Sequence, residues 1–301
     1  MIHTTHYHSQ RPDHGSSASN EKNKIVSRKI THKVSTRADV DAAAVQASAA
    51  DFVNEIKSFI AEHKLTPEQV LNTDQSRFDK EFHSGRTLAI KGSNPIVGAI
   101  GSVAATTHSY MIMPVIGMDG TLLPHMYVLV SEPSGHFPAG MAAEFPNVKA
   151  YASRSANMTK RDLQTFLEEV LWPDLQGKDR VLLLVDSWTP NKDDALYNMT
   201  VPDGVQFYKK LIPAKRTGLV QPADVFFFRP FKNMVKFITD TLVVSSSIPV
   251  WQRANFLRLQ SFVHYQFSAP RFQKMIRFAF LKCGYSHEHP GQFETSSEYC
   301  F

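Results

Sequence analysis

Large apolar residues fall at helical spacing in some stretches of this chain, and in shorter stretches they run together or alternate. Phe52, Val53, Ile56, Phe59 and Ile60 make one face of a helix expected over residues 39–63. Strand-like runs follow at 70–73, 87–91, 99–107, 110–116 and 126–130. The turn signal Met118-Asp119-Gly120-Thr121 lies between the last two, so they read as an antiparallel meander with Asp119 as a turn residue.

Thr159, with Asp162 three positions on, predicts the start of a helix that carries Leu163, Phe166, Leu167, Val170 and Leu171 on one face and ends near Trp172-Pro173. Residues 181–185 are five consecutive apolar side chains, the pattern of a central strand buried on both faces. Asp186 stands at its carboxyl end, where open α/β sheets place their ligands. A short helix at 193–199 and a strand at 205–211 lead to Pro222, which suits the first turn of a helix and puts Asp224 near the positive end of its dipole. Pro230 is expected to kink this helix, with phasing resumed through Phe231, Met234, Val235 and Ile238. Two more helices are expected, one opened by Ser247 and Pro249, the other by Ser268 and Pro270 and stopped at Gly284. The order predicts an α/β fold, a mixed sheet flanked by helices in a ribonuclease H-like layout, with helical amino- and carboxyl-terminal extensions.

Composition narrows the class. With 301 residues, 43% hydrophobic and 20% charged, the chain can bury a substantial core. A net charge of +5 favours an anionic partner. Cys283 and Cys300 are the only cysteines, which excludes a disulfide framework and a cysteine zinc site. MIHTTHYHSQ has no apolar core and no run approaches a membrane span, so an intracellular protein with no membrane partner is expected. Residues 1–36 form a basic leader with few large apolar side chains, expected to be disordered. Its histidines lack the rigid support that real metal sites use.

Asp74, Asp186 and Asp224 are the candidate chemistry. One follows a strand, one ends a buried strand and one opens a helix, so a fold could bring them together. Three converging carboxylates hold divalent cations, which also bridge phosphate oxygens; in a basic protein this points to nucleic-acid backbone chemistry. Lys215, Arg216 and Arg86 lie in polar loops able to meet phosphates, and Trp188 is either a stacking platform or packing.

Several ordered motifs resemble one family: Asn72-Thr-Asp74-Gln-Ser76, Glu81-Phe-His-Ser-Gly-Arg-Thr87, Ala105-Thr-Thr-His-Ser-Tyr110, Leu183-Leu-Val-Asp186-Ser-Trp188 and Gln221-Pro-Ala-Asp224 with Phe228-Arg-Pro-Phe-Lys232. Together they look like the DDE superfamily endonuclease domain, and more narrowly the pogo and Tigger branch of mariner-type transposases, the branch related to centromere protein B. The resemblance spans roughly residues 65–245. It implies that Asp74, Asp186 and Asp224 bind Mg2+, or Mn2+ in its place, and cleave or transfer DNA phosphodiester bonds in the nucleus, with homo-oligomers compatible. It divides the chain into a leader at 1–36, a helical segment at 37–64 that reads as a remnant of a DNA-binding region, the endonuclease-like domain at 65–245 and a helical extension at 246–301. Arg77 stands where the family pattern would have glycine. Only a short basic leader precedes the domain, which keeps open a catalytically silent, truncated or host-retained transposase-derived DNA-binding protein.

Overall fold

Two four-stranded sheets share strands that bend from one into the other. The computed structural model describes residues 42–82, 109–139, 145–155 and 157–295, within one unit spanning Ala42–Phe301. The basic leader, the runs at 87–91 and 99–107, and the loop residues His83 and Arg86 lie outside the described residues.

After helix α1 (Ala42–Glu62) come β1 (Val70–Thr73) and β2 (Ser76–Asp79), then β3 (Ser109–Met113), β4 (Val115–Gly117), β5 (Met126–Ser131) and β6 (Val148–Ser153). Helix α2 (Lys160–Phe166) continues through a π-helical turn, Leu167–Leu171, to Asp174. The remaining elements are β7 (Arg180–Asp186), α3 (Asp194–Thr200), β8 (Gln206–Ile212), α4 (Thr217–Val220), α5 (Phe228–Ser245), α6 (Arg253–Phe267) and α7 (Pro270–Lys282). Sheet order is β4-β1-β7-β8 in one sheet and β2-β3-β5-β6 in the other. Among the described residues no helix is long and apolar enough to cross a membrane.

The sequence reading of 110–116 as one strand of a meander is corrected here. Pro114, which cannot donate a ladder hydrogen bond, splits the run. The first half, β3, pairs with β2 and β5; the second, β4, crosses to the other sheet and pairs with β1. The opposite strand breaks at the same level, between Thr73 and Ser76, and Thr73 Oγ1 donates to Pro114 O at 2.8 Å across the break. Asp74 occupies that gap.

As expected, β7 is central, lying between β1 and β8 and parallel to both. Its alternate side chains feed two cores. Leu182 and Leu184, with Val70 of β1, face Ile56, Phe231, Phe256, Phe267 and Phe280 of the helices α1, α5, α6 and α7. Val181, Leu183 and Val185, with Leu71, face Leu163, Phe166 and Leu171 of α2. The stretches read as terminal extensions thus contribute Ile56 and Phe256 to the same core as the sheet.

Pro230 lies inside α5, and the strain it would cause is absorbed upstream. A π-helical turn, Ala223–Phe227, precedes α5, and Phe228 N–H donates to Ala223 O, one residue further back than in an α-helix. Widening the turn accommodates a ring that has no N–H and would crowd the carbonyl four residues earlier. Gly284 ends α7 at φ +88, as read from the sequence.

One polar side chain crosses the apolar interface. Asn72, fully buried, donates from Nδ2 to Leu184 O of β7 at 3.0 Å and accepts at Oδ1 from Ala223 N–H at 2.9 Å. It ties two strands to the start of the π-turn. Asn72→Ala would strand a donor and an acceptor in the core at about 1–3 kcal/mol each. Urea titration should therefore show roughly 2–5 kcal/mol lost, whereas the exposed change Asn54→Ala should move stability by about 0.5 kcal/mol or less.

Candidate active site

Asn72 and Leu184 are the last register partners on parallel neighbours, and two residues further along each chain segment stand Asp74, in the break after β1, and Asp186, at the end of β7. In-register residues on adjacent strands project to the same face, with strands about 4.8 Å apart. Even-numbered Val70, Leu182 and Leu184 face the helical core, and Asp186 at the end of β7 continues that parity toward α5, while Asp74 lies near enough for the charges of Asp224 and Asp186 to act on it. There the Ala223 N–H held by Asn72 fixes the next residue, Asp224. Gln221, also fully buried, donates from Nε2 to Thr73 O at 3.3 Å and reaches the Asp74 carboxylate. The sequence-predicted triad is thereby gathered at one sheet edge.

The electrostatics show that the three acids interact. Burial lifts the Asp74 carboxyl well above its ordinary value, and the charges of Asp224 and Asp186 raise it further. Asp224 is also raised by burial, opposed by a hydrogen bond with Asp74, by the Lys232 ammonium and by a hydrogen bond with Thr217. The two carboxyl groups therefore titrate as a pair. Asp186 is raised by burial and held back by Asn191 and by the Trp188 backbone N–H. As the side chains stand, no three Asp, Glu, His or Cys groups among the described residues close around a single ion. The donor set is nevertheless all oxygen, and beside it Gln221 Oε1 is buried without a partner, so the chemistry fits a hard divalent cation once the acids are ionised.

Asn191 was not foreseen. Its Nδ2 donates to Asp186 Oδ1 at 2.6 Å, while Tyr197 O–H donates to Asn191 Oδ1 at 2.8 Å and fixes which end of the amide faces the acid. Lys209 Nζ, over the Tyr197 ring at 4.1 Å, donates to Asn191 O at 2.6 Å. The Asp186 carboxyl is thus oriented by Asn191 and by the Trp188 backbone N–H. The only sequence signal was position: Asn191 follows a strand-end acid by five residues.

Of the predicted nucleic-acid contacts, Lys215 is exposed with left-handed backbone, φ +66, in the loop after β8. Arg216 donates from Nη1 to Ala214 O at 3.2 Å and has a buried, unpartnered Nε. Arg86 lies outside the described residues. Trp188 packs against the second core. Arg77 sits inside β2 opposite Met111, exposed in extended backbone, so no glycine is required there. Asp119 is a turn residue as expected: Oδ1 accepts from Thr121 N–H at 3.0 Å and Oδ2 from Thr121 O–H at 2.5 Å.

The fold and its edge of acids define a ribonuclease H-like protein. Residues 111–262 match the family model described as DDE superfamily endonuclease, and the chain belongs to that family. Among solved structures, it is similar to the mariner Mos1 paired end complex with Mg, at 8% identity and TM-score 0.51 over 97% of this chain and 83% of that one. It is also similar to the Mos1 transposase catalytic domain with Raltegravir and Mn, at 12% identity and TM-score 0.44 over 87% and 99%. No curated protein matches the sequence.

The raised Asp74 carboxyl makes a signed prediction. The folded chain holds that proton more tightly than the unfolded chain does. The resulting stabilisation is full below the ordinary value of 3.8 and is lost as pH rises through the raised one. Asp74→Asn removes the charge that must otherwise form, so in EDTA its melting temperature should exceed the wild type's at pH 8. The two should converge toward pH 4, as thermal melts across pH will show.

Proposed function

We propose that the chain is a DDE-type DNA endonuclease or strand-transfer domain of the pogo and Tigger branch, using Asp74, Asp186 and Asp224 to hold Mg2+, or Mn2+ in its place. The observation that carries this reading is that Asp74 and Asp186 follow the ends of parallel neighbours β1 and β7 closely enough to interact, with Asp224 held beside them through the Asn72–Ala223 hydrogen bond. Family membership supports phosphodiester chemistry. The Mos1 paired end complex of like fold is one with Mg, which supports a divalent ion. The motifs Gln221-Pro-Ala-Asp224 and Phe228-Arg-Pro-Phe-Lys232 support the branch and its relation to centromere protein B.

When bound, a pair of such ions supplies Lewis-acid activation of the attacking oxygen and stabilisation of the leaving one. The chain's own part is to hold charge in place. Asp74 and Asp224 are to be ionised to hold the ions, and Asp186, oriented by Asn191 and the Trp188 N–H, completes the oxygen donor set. Gln221 and Asn72 keep the strand gap and the π-turn in register. Lys215, Arg216 and Arg86 contact the DNA backbone in this reading, and the work belongs in the nucleus.

A second reading, a catalytically silent DNA-binding protein derived from a transposase, is favoured by the hydrogen bond that closes Asp74 onto Asp224. Supercoiled-plasmid nicking separates the two. With Mg2+ or Mn2+ the wild type should nick, and Asp186→Ala should be slower by about 100-fold or more, since a metal ion supplies several kcal/mol. Equal rates in the two proteins would end the triad assignment. Salt-sensitive binding without nicking would establish the silent reading.

A further inference from the structure

Three lysines rest on one continuous plate of aromatic rings beside the acids. The plate runs from Phe82 to Phe78 at 5.1 Å, to Tyr110 at 5.8 Å and to Phe256 at 4.6 Å between ring centroids, joining β2, β3 and α6. Lys236 lies over Phe82 at 4.8 Å, Lys232 over Phe78 at 5.4 Å and Phe228 at 5.7 Å, and Lys80 over Phe256 at 6.0 Å.

How these charges are held determines what they can do. Elsewhere the lysines Lys160, Lys209 and Lys210 are neutralised by ion pairs with Asp193, Asp194 and Glu55. Lys80, Lys232 and Lys236 take part in no ion pair among the described residues; ring faces position them instead. A ring orients an ammonium without cancelling its charge, so Lys80 and Lys236 keep theirs available while Lys232 also faces the acids. Lys232 is half-buried and close enough for Asp224, Asp74 and Asp79 to act on it, and burial lowers its hold on its proton. Lys236 follows one helical turn along α5, about 6 Å further on, a step commensurate with consecutive phosphates of one strand.

We infer that the Lys232–Lys236 ridge of α5, with Lys80 across the plate, is the surface that seats the phosphate backbone of a DNA duplex leading into the acid cluster. This rests on the reading of the chain as a DNA endonuclease and adds where the substrate lies. The ammonium groups position the strand and carry no sequence preference, because they address phosphates. Lys232, nearest the acids, also offsets their charge where a polyanion must approach.

The test is metal-free binding of the full chain to a fluorescent DNA duplex, in EDTA, across a KCl series. The slope of log K against log salt should lose about 0.9 for Lys232→Gln and again for Lys236→Gln, while Lys149→Gln, exposed on the far strand β6, leaves it unchanged. Circular dichroism verifies the fold, and Lys236→Gln alone decides the matter if Lys232→Gln does not fold. An unchanged slope in a folded Lys236→Gln protein overturns the proposal. So does tighter binding of an RNA duplex with the same slope losses. If slopes fall but the wild type never nicks, the surface stands and the cleavage reading falls; if nicking is intact but slopes are unmoved, the surface falls alone.

Discussion

Asn72 holds the molecule's chemistry in register. A single amide, fully buried, joins the carbonyl of one strand to the N–H that begins the π-turn, and acids follow each of the three segments it connects. Asp74 is two residues past it, just beyond the end of β1, Asp186 two past its partner on β7, and Asp224 one past its donor. Were the amide replaced by an apolar group, the strands could still pair through their backbones. Gln221 on Thr73 O would then be left as the polar tie between the start of the π-turn and β1.

A second constraint is charge. Burial shifts all three carboxyls upward, and repulsion from neighbouring acids adds to it at Asp74 and Asp224. The fold tolerates them through the hydrogen bond between Asp74 and Asp224, the Asn191 amide and the nearby Lys232 ammonium. A site held in this way is poised to exchange a proton for a cation, and the energy stored in repulsion is released by whichever cation arrives. The same edge meets a lysine ridge on aromatic faces, so acids and uncancelled positive charge adjoin.

Much of this was legible in the sequence. Five apolar residues before Asp186 can be only a strand covered on both sides, and Thr159 with Asp162 marks a helix start by local hydrogen bonding alone. The acids were identifiable because each ends or opens an element. What escaped depends on contacts between distant segments. Pro114 reads as one interruption, yet whether the chain resumes in the same sheet depends on where β1 breaks. Strand β6 has a half-exposed pattern, Val148 alone being buried, and pairs in parallel with β5, so no hairpin signal announces it. Asn72 and Asn191 look like any polar residue near a strand until the carbonyl, N–H or carboxylate they meet is known. The kink expected at Pro230 was displaced upstream into a π-turn, because the helix relieves the clash where its own hydrogen bonds can widen.

The most direct measurement of the central claim is anomalous scattering from a Mn2+-soaked crystal. The account predicts a peak bonded to oxygens of Asp74, Asp186 and Asp224, with the Asp74–Asp224 hydrogen bond broken and Asn191 still on Asp186 Oδ1. Strong Mn2+ peaks elsewhere, with Asp74 and Asp224 still bonded to each other, would contradict it.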